Sequence, residues 1–187
     1  IAPIHLDSKF ALVDENNNYL EIVGKGSIGH DSTTNGVTNS FEFKLKDKDI
    51  KSLRLIPIKY IGEENKILDI YDIDKLPITF EMNEYGKVII EDIQINDSKI
   101  IYTYYTEGFV PYESGLVFFD ENEKEIGFSC SSSENKNKKT GRITTTINLE
   151  GYGNDLNLIS KIKKVSAYNN TKMRLLYDEA IEINLSN

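Results

Sequence analysis

The stretch Leu116-Val-Phe-Phe-Asp-Glu-Asn122 restates an earlier one, Phe10-Ala-Leu-Val-Asp-Glu-Asn16, 106 positions on. In 187 residues a repeat of that spacing leaves room for two copies of one domain-sized unit and little else. Each copy is an apolar run halted by Asp and Asn. Those residues reverse a chain because their side chains bond nearby backbone groups and tolerate positive φ. The repeated piece therefore reads as a strand running into a turn.

The rest of the chain alternates with period two, as half-buried strands do. Ile78, Phe80 and Met82 share one face of a strand over 76–82, and Ile100, Tyr102 and Tyr104 share one face of a strand over 98–106. The latter forms a hairpin with 87–96 through Asn96-Asp-Ser98. Over 142–149, Ile143, Thr145, Ile147 and Leu149 face inward. Strands are also expected at Phe41–Leu45, at 125–131, and at Leu53–Pro57, where Pro57 cannot donate to a central ladder and so marks an edge or an end. The Gly-, Ser-, Thr- and Asn-rich stretch 24–40 and the polar stretch 132–141 read as loops. Only 170–178 has the makings of a helical turn.

Leu156-Asn-Leu-Ile-Ser160 aligns with Leu53-Arg-Leu-Ile-Pro57 at a shift of 103, and Ala180–Leu185 aligns with Leu76–Phe80. The fold class is all-β, two tandem antiparallel β-sandwich repeats. The first spans 1–75, with a joining segment at about 60–75, and the second spans 76–187. The second carries the hairpin 87–106 ahead of its Leu116 strand, whereas the first has nine residues ahead of Phe10. The first copy thus lacks its N-terminal hairpin, and the missing strands are expected upstream in a longer protein. An edge left open in this way invites a neighbouring chain, the other copy or a rearrangement to cover it, hence dimerisation or strand exchange.

A formal charge of −8 repels phosphate backbones, and the lysines are scattered, so nucleic acid is not an expected partner. The single cysteine, Cys130, excludes an internal disulfide and a multi-cysteine zinc site, and reads as a small, half-buried strand residue. No run approaches the ~18 apolar residues of a membrane span, and no signal peptide is visible. Ile1 is an unnatural start. The expectation is an excised piece whose anchoring segment lies elsewhere.

Candidate chemistry is sparse. His5 and His30 lie in polar or irregular segments with no hydrolase motif around them. The pairs Asp14-Glu15 and Asp120-Glu121 fit turn residues better than an acid–base couple or an EF-hand calcium loop. Lys136-Asn-Lys-Lys139 reads as a solvated hairpin tip. No phosphate-binding glycine motif occurs, so no cofactor is expected, and no catalytic or metal-binding residue is assigned. The one lead is aromatic: Tyr102-Thr-Tyr-Tyr-Thr-Glu-Gly-Phe-Val-Pro-Tyr112. Tyr105, Phe109 and Tyr112 cannot all share the core face with Tyr102 and Tyr104. Exposed, they would contact a partner or stack on a sugar.

The order of these features, a Gly-Phe-Val-Pro segment, an apolar strand ending in Asp-Glu-Asn, a polar hairpin, an alternating strand and a Leu-x-Leu before a closing strand, resembles a known family. It is similar to the extracytoplasmic, immunoglobulin-like domains of unknown function in single-pass membrane proteins of Gram-positive, spore-forming bacteria, some of them anti-sigma-factor-like. The likeness spans most of 1–187, best from about 76 onward. It implies immunoglobulin-like repeats and a non-catalytic module at the cell surface. Such a module would be anchored through a segment absent here and would serve protein or cell-envelope binding, sensing or spacing. It supplies no functional residues. The alternative is a carbohydrate-binding module using Tyr105 to Tyr112 on an envelope glycan.

Overall fold

A computed structural model describes residues 10–31, 36–44, 49–110, 115–137, 139–150 and 156–185. The described strands are β1 (Phe10–Asp14), β2 (Glu21–Asp31), β3 (Gly36–Lys44), β4 (Ser52–Ile67), β5 (Tyr71–Asp72), β6 (Ile78–Asn83) and β7 (Gly86–Ile95). They continue as β8 (Lys99–Gly108), β9 (Leu116–Phe119), β10 (Ser131–Lys136), β11 (Ile143–Asn148), β12 (Lys164–Leu175) and β13 (Ile181–Asn184). Two short 3₁₀ turns, Leu156–Lys161 and Tyr177–Glu179, are the only helical pieces among the described residues. No helix there is long and apolar enough to cross a membrane. The fold is all-β, and every described strand pairing is antiparallel.

The chain forms two compact units that part elsewhere than at residue 75. Unit 1 is Ile1–Gly62 with Lys172–Asn187, and unit 2 is Glu63–Thr171. The joining segment at 60–75 is mostly strand, because β4 runs on through Gly62 to Ile67 and β5 follows. The last residues close unit 1: Ile181 and Ile183 of β13 pair with Leu55 and Leu53 of β4.

The repeat is preserved bond by bond. In the first copy Asp14 N donates to Asn18 O at 3.0 Å, Asn17 N to Asp14 O at 3.0 Å and Leu20 N to Leu12 O at 2.8 Å. In the second, Asp120 N donates to Lys124 O at 3.0 Å, Glu123 N to Asp120 O at 3.2 Å and Ile126 N to Phe118 O at 2.8 Å. The aspartate caps each turn. Asp14 Oδ1 accepts from Asn16 N and Asn18 N at 2.9 and 2.8 Å, and Asp120 Oδ1 accepts from Asn122 N and Lys124 N at 2.8 and 3.0 Å. The fourth turn residue is left-handed in both, Asn17 at φ 64° and Glu123 at φ 62°. Each of these residues is also gripped from the neighbouring strand, Asn17 by the Arg54 guanidinium and Glu123 by Lys164 Nζ at 2.8 Å.

Those two cations correct the alignment of the closing strands. Val13 faces Arg54 in β4 as Phe119 faces Lys164 in β12, so the matching shift is 110 rather than 103. Leu156–Lys161 is a 3₁₀ turn instead of a strand, and the true counterpart of Leu53–Pro57 is 163–167. The far side of each central strand matches too. Asp72 and Tyr71 of β5 face Lys164 and Val165, as Glu182 and Ile181 of β13 face Arg54 and Leu55. Thus 180–185 corresponds to the neighbourhood of β5, not to Leu76–Phe80.

Other expectations shift with the backbone. The stretch 24–40 forms most of a hairpin, β2 with β3, which two bulges accommodate at Ile22/Gly24 and Ile28/His30. The polar stretch 132–141 supplies β10, all of whose side chains are exposed, so it carries no apolar alternation to read. Over 125–130 there is only a bridge from Glu125 to Phe119, strand resuming at Ser131, and Cys130 is exposed. Pro57 sits inside β4, at the pair with Phe10 where the described β1 ladder stops. The stretch 170–178 is mostly β12, with a 3₁₀ turn only from Tyr177.

The described core of unit 2 is built on one sheet face. Its five-stranded sheet runs β10-β11-β8-β7-β6. The inward face carries Ile78, Phe80, Met82, Val88, Ile90, Ile100, Tyr102, Tyr104, Ile143 and Ile147. Phe118 of β9 with Val165 and Ala167 of β12 join the same cluster from a different sheet. Two sheets closing on one apolar layer is the arrangement of a β-sandwich. The inward residues expected at 78–82, 100–104 and 143–149 are all buried, Thr145 included. Among the described residues a cluster of unit 1 holds Leu12, Leu20, Ile50 and Leu53, with Leu55 and Leu185 against it.

The caps make the first prediction. Asp14→Ala removes an acceptor that is 2% exposed and that also takes Asn18 Nδ2 at 2.9 Å. It is expected to cost about 2 kcal/mol, and Asp120→Ala, half-buried at a turn, about 1 kcal/mol. Urea midpoints followed by circular dichroism would check the order.

Candidate functional site

The expected aromatic lead lies on the outward side of β8. Strand alternation buries Ile100, Tyr102 and Tyr104 and turns Tyr105 to the opposite face, where it is half-buried. Tyr105 pairs across the ladder with Ile89 of β7, a residue buried at 6% although it lies outside the unit 2 core cluster. The ladder then slips by one residue between Ile90 and Asp92, leaving Glu91 as the bulged position. Bulges re-aim a side chain. Here Glu91 meets Arg142 in a two-pronged ion pair, Nε to Oε2 at 2.5 Å and Nη2 to Oε1 at 2.6 Å.

The Arg142 guanidinium in turn lies over the Tyr105 ring, with Cζ 5.3 Å from its centroid. The cation therefore contacts a carboxylate and an aromatic face together, a recurrent use of the planar guanidinium. Its hydrogen bond to Glu91, and then the charge of that carboxylate, raise the pKa of Arg142 from its ordinary value. Lys87 is likewise raised, first by its hydrogen bond to Glu107 and then by that charge, across a 3.1 Å ion pair. On the same sheet the hydroxyls of Thr103 and Thr144 meet at 3.1 Å. The result is a polar sheet face of both charge signs with one aromatic ring set into it.

Phe109 is placed differently. It follows Gly108, which ends β8 at φ +74°, and its backbone is fastened to the β6–β7 turn. Phe109 N donates to Tyr85 O at 2.8 Å and Asn83 Nδ2 donates to Phe109 O at 3.2 Å. Its ring is half-buried. Tyr112 lies outside the described residues. Tyr105 thus has its own neighbours, Ile89, Glu91 and Arg142, and those are what the sequence reasoning missed. The signal was present only in part. Arg142 heads the alternating run 142–149, but its proximity to Tyr105 depends on pairing β11 with β8, which composition does not specify.

The turn acids are occupied as architecture. Both Asp14 oxygens accept protein donors, and Glu15 Oε2 accepts Lys51 N and Ser52 N at 3.0 and 3.1 Å. Among the described residues no group of three or more His, Cys, Asp or Glu is placed to hold a metal ion. His5 lies outside the described residues, as does the side-chain environment of His30. Comparison with protein-family models, with curated proteins and with solved structures finds no match for this chain.

Proposed function

We propose that the chain is a non-catalytic, extracytoplasmic pair of immunoglobulin-like repeats from a membrane-anchored protein of a Gram-positive bacterium, serving protein or cell-envelope binding and spacing. The observation that carries this reading is what the duplication conserves within the molecule. The turn hydrogen bonds, the left-handed fourth residue and the cation that grips it all recur. These features shape backbone, and none is reactive. The surface and envelope setting rests on the family resemblance described above.

Envelope binding is assigned to the Tyr105 face. A partly exposed ring beside a guanidinium and a carboxylate offers stacking and hydrogen bonds together, which also suits the carbohydrate-binding alternative. The test is co-sedimentation with purified Gram-positive cell walls, compared for the wild type, Tyr105→Ala and Arg142→Ala. Wild-type chain is expected in the pellet, with each variant bound roughly tenfold more weakly. Arg142→Ala should change stability by less than about 1 kcal/mol, as surface ion pairs do. Wild-type chain left wholly in the supernatant would discard envelope binding, and equal binding by the variants would discard this face.

A further inference from the structure

Among the described residues the exposed large apolar side chains are Ile61, Tyr177, Ile181 and Ile183, at 55, 46, 45 and 39%. All four belong to unit 1. Ile181 and Ile183 lie on one face of β13, beside Leu55 and Leu53 of β4, and Leu12 of β1 continues the row from the other side of Leu55. An isolated exposed isoleucine needs no explanation, whereas two on one strand face beside a buried apolar row do.

Unit 2 shows what covers this row. The equivalents of Ile181 and Ile183, 110 positions earlier, are Tyr71 and Ile73, placed beside β12 by the Tyr71–Val165 pair and the 3.0 Å bond from Ile73 N to Lys163 O. Both pack against the unit 2 core, and the Tyr71 ring meets Phe80 of β6 edge-on at 5.6 Å. Their cover is the meander β6-β7-β8, which reaches that position by pairing β8 with β11. In unit 1 the hairpin β2–β3 holds the place in chain order of β10–β11, and among the described residues its sheet stops at two strands. No described strand of unit 1 corresponds to β6, β7 or β8.

We propose that the face of unit 1 carrying Ile181 and Ile183, beside the half-buried Leu55, is the docking surface for an amphipathic antiparallel β-meander of the β6–β8 kind. The partner presents alternating Ile, Phe and Tyr inward and lays its last strand along β3. The chemistry of the pair selects it: Glu182, between the two isoleucines, alternates to the opposite side of β13, so Ile181 and Ile183 offer apolar contact. A second copy of this chain is not the occupant, because its own meander is held in unit 2 by Phe80, Ile90, Ile100 and Tyr102, each at most 6% exposed.

The probe is a synthetic peptide of residues 76–108, which contains β6 to β8, titrated into the 187-residue chain carrying labelled isoleucine methyl groups. The Ile181 and Ile183 methyl signals should shift, and β3 amides should gain protection from exchange. The double variant Ile181→Lys/Ile183→Lys should bind roughly a hundredfold more weakly while keeping its circular dichroism, since both side chains already meet solvent. Any one of three results overturns the proposal. These are no shift, equal shifts from a scrambled peptide, or self-association of the chain that buries the two isoleucines.

Discussion

Gly108→Ala is expected to cost roughly 2–5 kcal/mol, the sum of a left-handed backbone for a residue with a Cβ and a forced shift of packed main chain. Gly108 has φ +74°, and a Cβ added there would stand 2.1 Å from Tyr85 O. That oxygen cannot move away freely, because it accepts Phe109 N at 2.8 Å. Gly86 faces the same crossing from the other side, where a Cβ would meet Phe109 N and O at 2.6 Å. The crossing therefore tolerates no side chain on either strand. Gly115→Ala, with nothing within 4 Å, is the control and should leave stability within about 0.5 kcal/mol. Urea denaturation of the three proteins, read by tyrosine fluorescence, decides the matter. A Gly108→Ala midpoint equal to that of Gly115→Ala would remove the crossing from any account of unit 2.

Phe118→Ala should be as damaging, at about 3–5 kcal/mol. Phe118 is 1% exposed, pairs with Val165 at 0%, and has the Phe128 ring at 6.0 Å. Its removal leaves a hole beneath both sheets of unit 2. The repeat supplies a matched comparison, since Leu12 is the same position in unit 1, clustered among the described residues with Leu20, Ile50 and Leu53. Leu12→Ala is expected to cost less, about 2–3 kcal/mol, because it removes fewer buried atoms than Phe118→Ala does. Phe118→Leu, which keeps most of the volume, should recover more than half of the loss.

Much of this architecture was legible in the residues, and the parts that were not share a cause. Alternation identified Ile78, Phe80 and Met82, the β7–β8 hairpin and the inward face of β11 because in each a period-two pattern meets a one-sided core. The repeated turn was legible because its chemistry is local: Asp14 and Asp120 bond residues two and four positions on. Pairing partners are not local. Leu156-Asn-Leu-Ile looks like Leu53-Arg-Leu-Ile and still forms a 3₁₀ turn, and β5 is two residues long. In β10 every side chain is exposed, so only its backbone ladder with β11 defines it. At the candidate site the same limit operated. Tyr105 could be placed outward from the sequence of β8, but Glu91 reaches Arg142 from a bulge, and a bulge is a property of two strands in register.

The place of β13 carries a consequence for how the molecule is made. β4 pairs with residues 10–14, with β12 and with residues 181–184, so the central strand of unit 1 waits for segments more than a hundred residues downstream. Unit 2 lies wholly within Glu63–Thr171, so its chain is complete before β13 is made. On a ribosome, unit 2 can assemble while unit 1 still shows Leu53 and Leu55 beside an unpaired edge. Long-range pairings of this kind are slow and leave apolar edges open to stray contacts in the interval. The long-range pairing of β4 thus gives the N-terminal half a vulnerability of timing during synthesis.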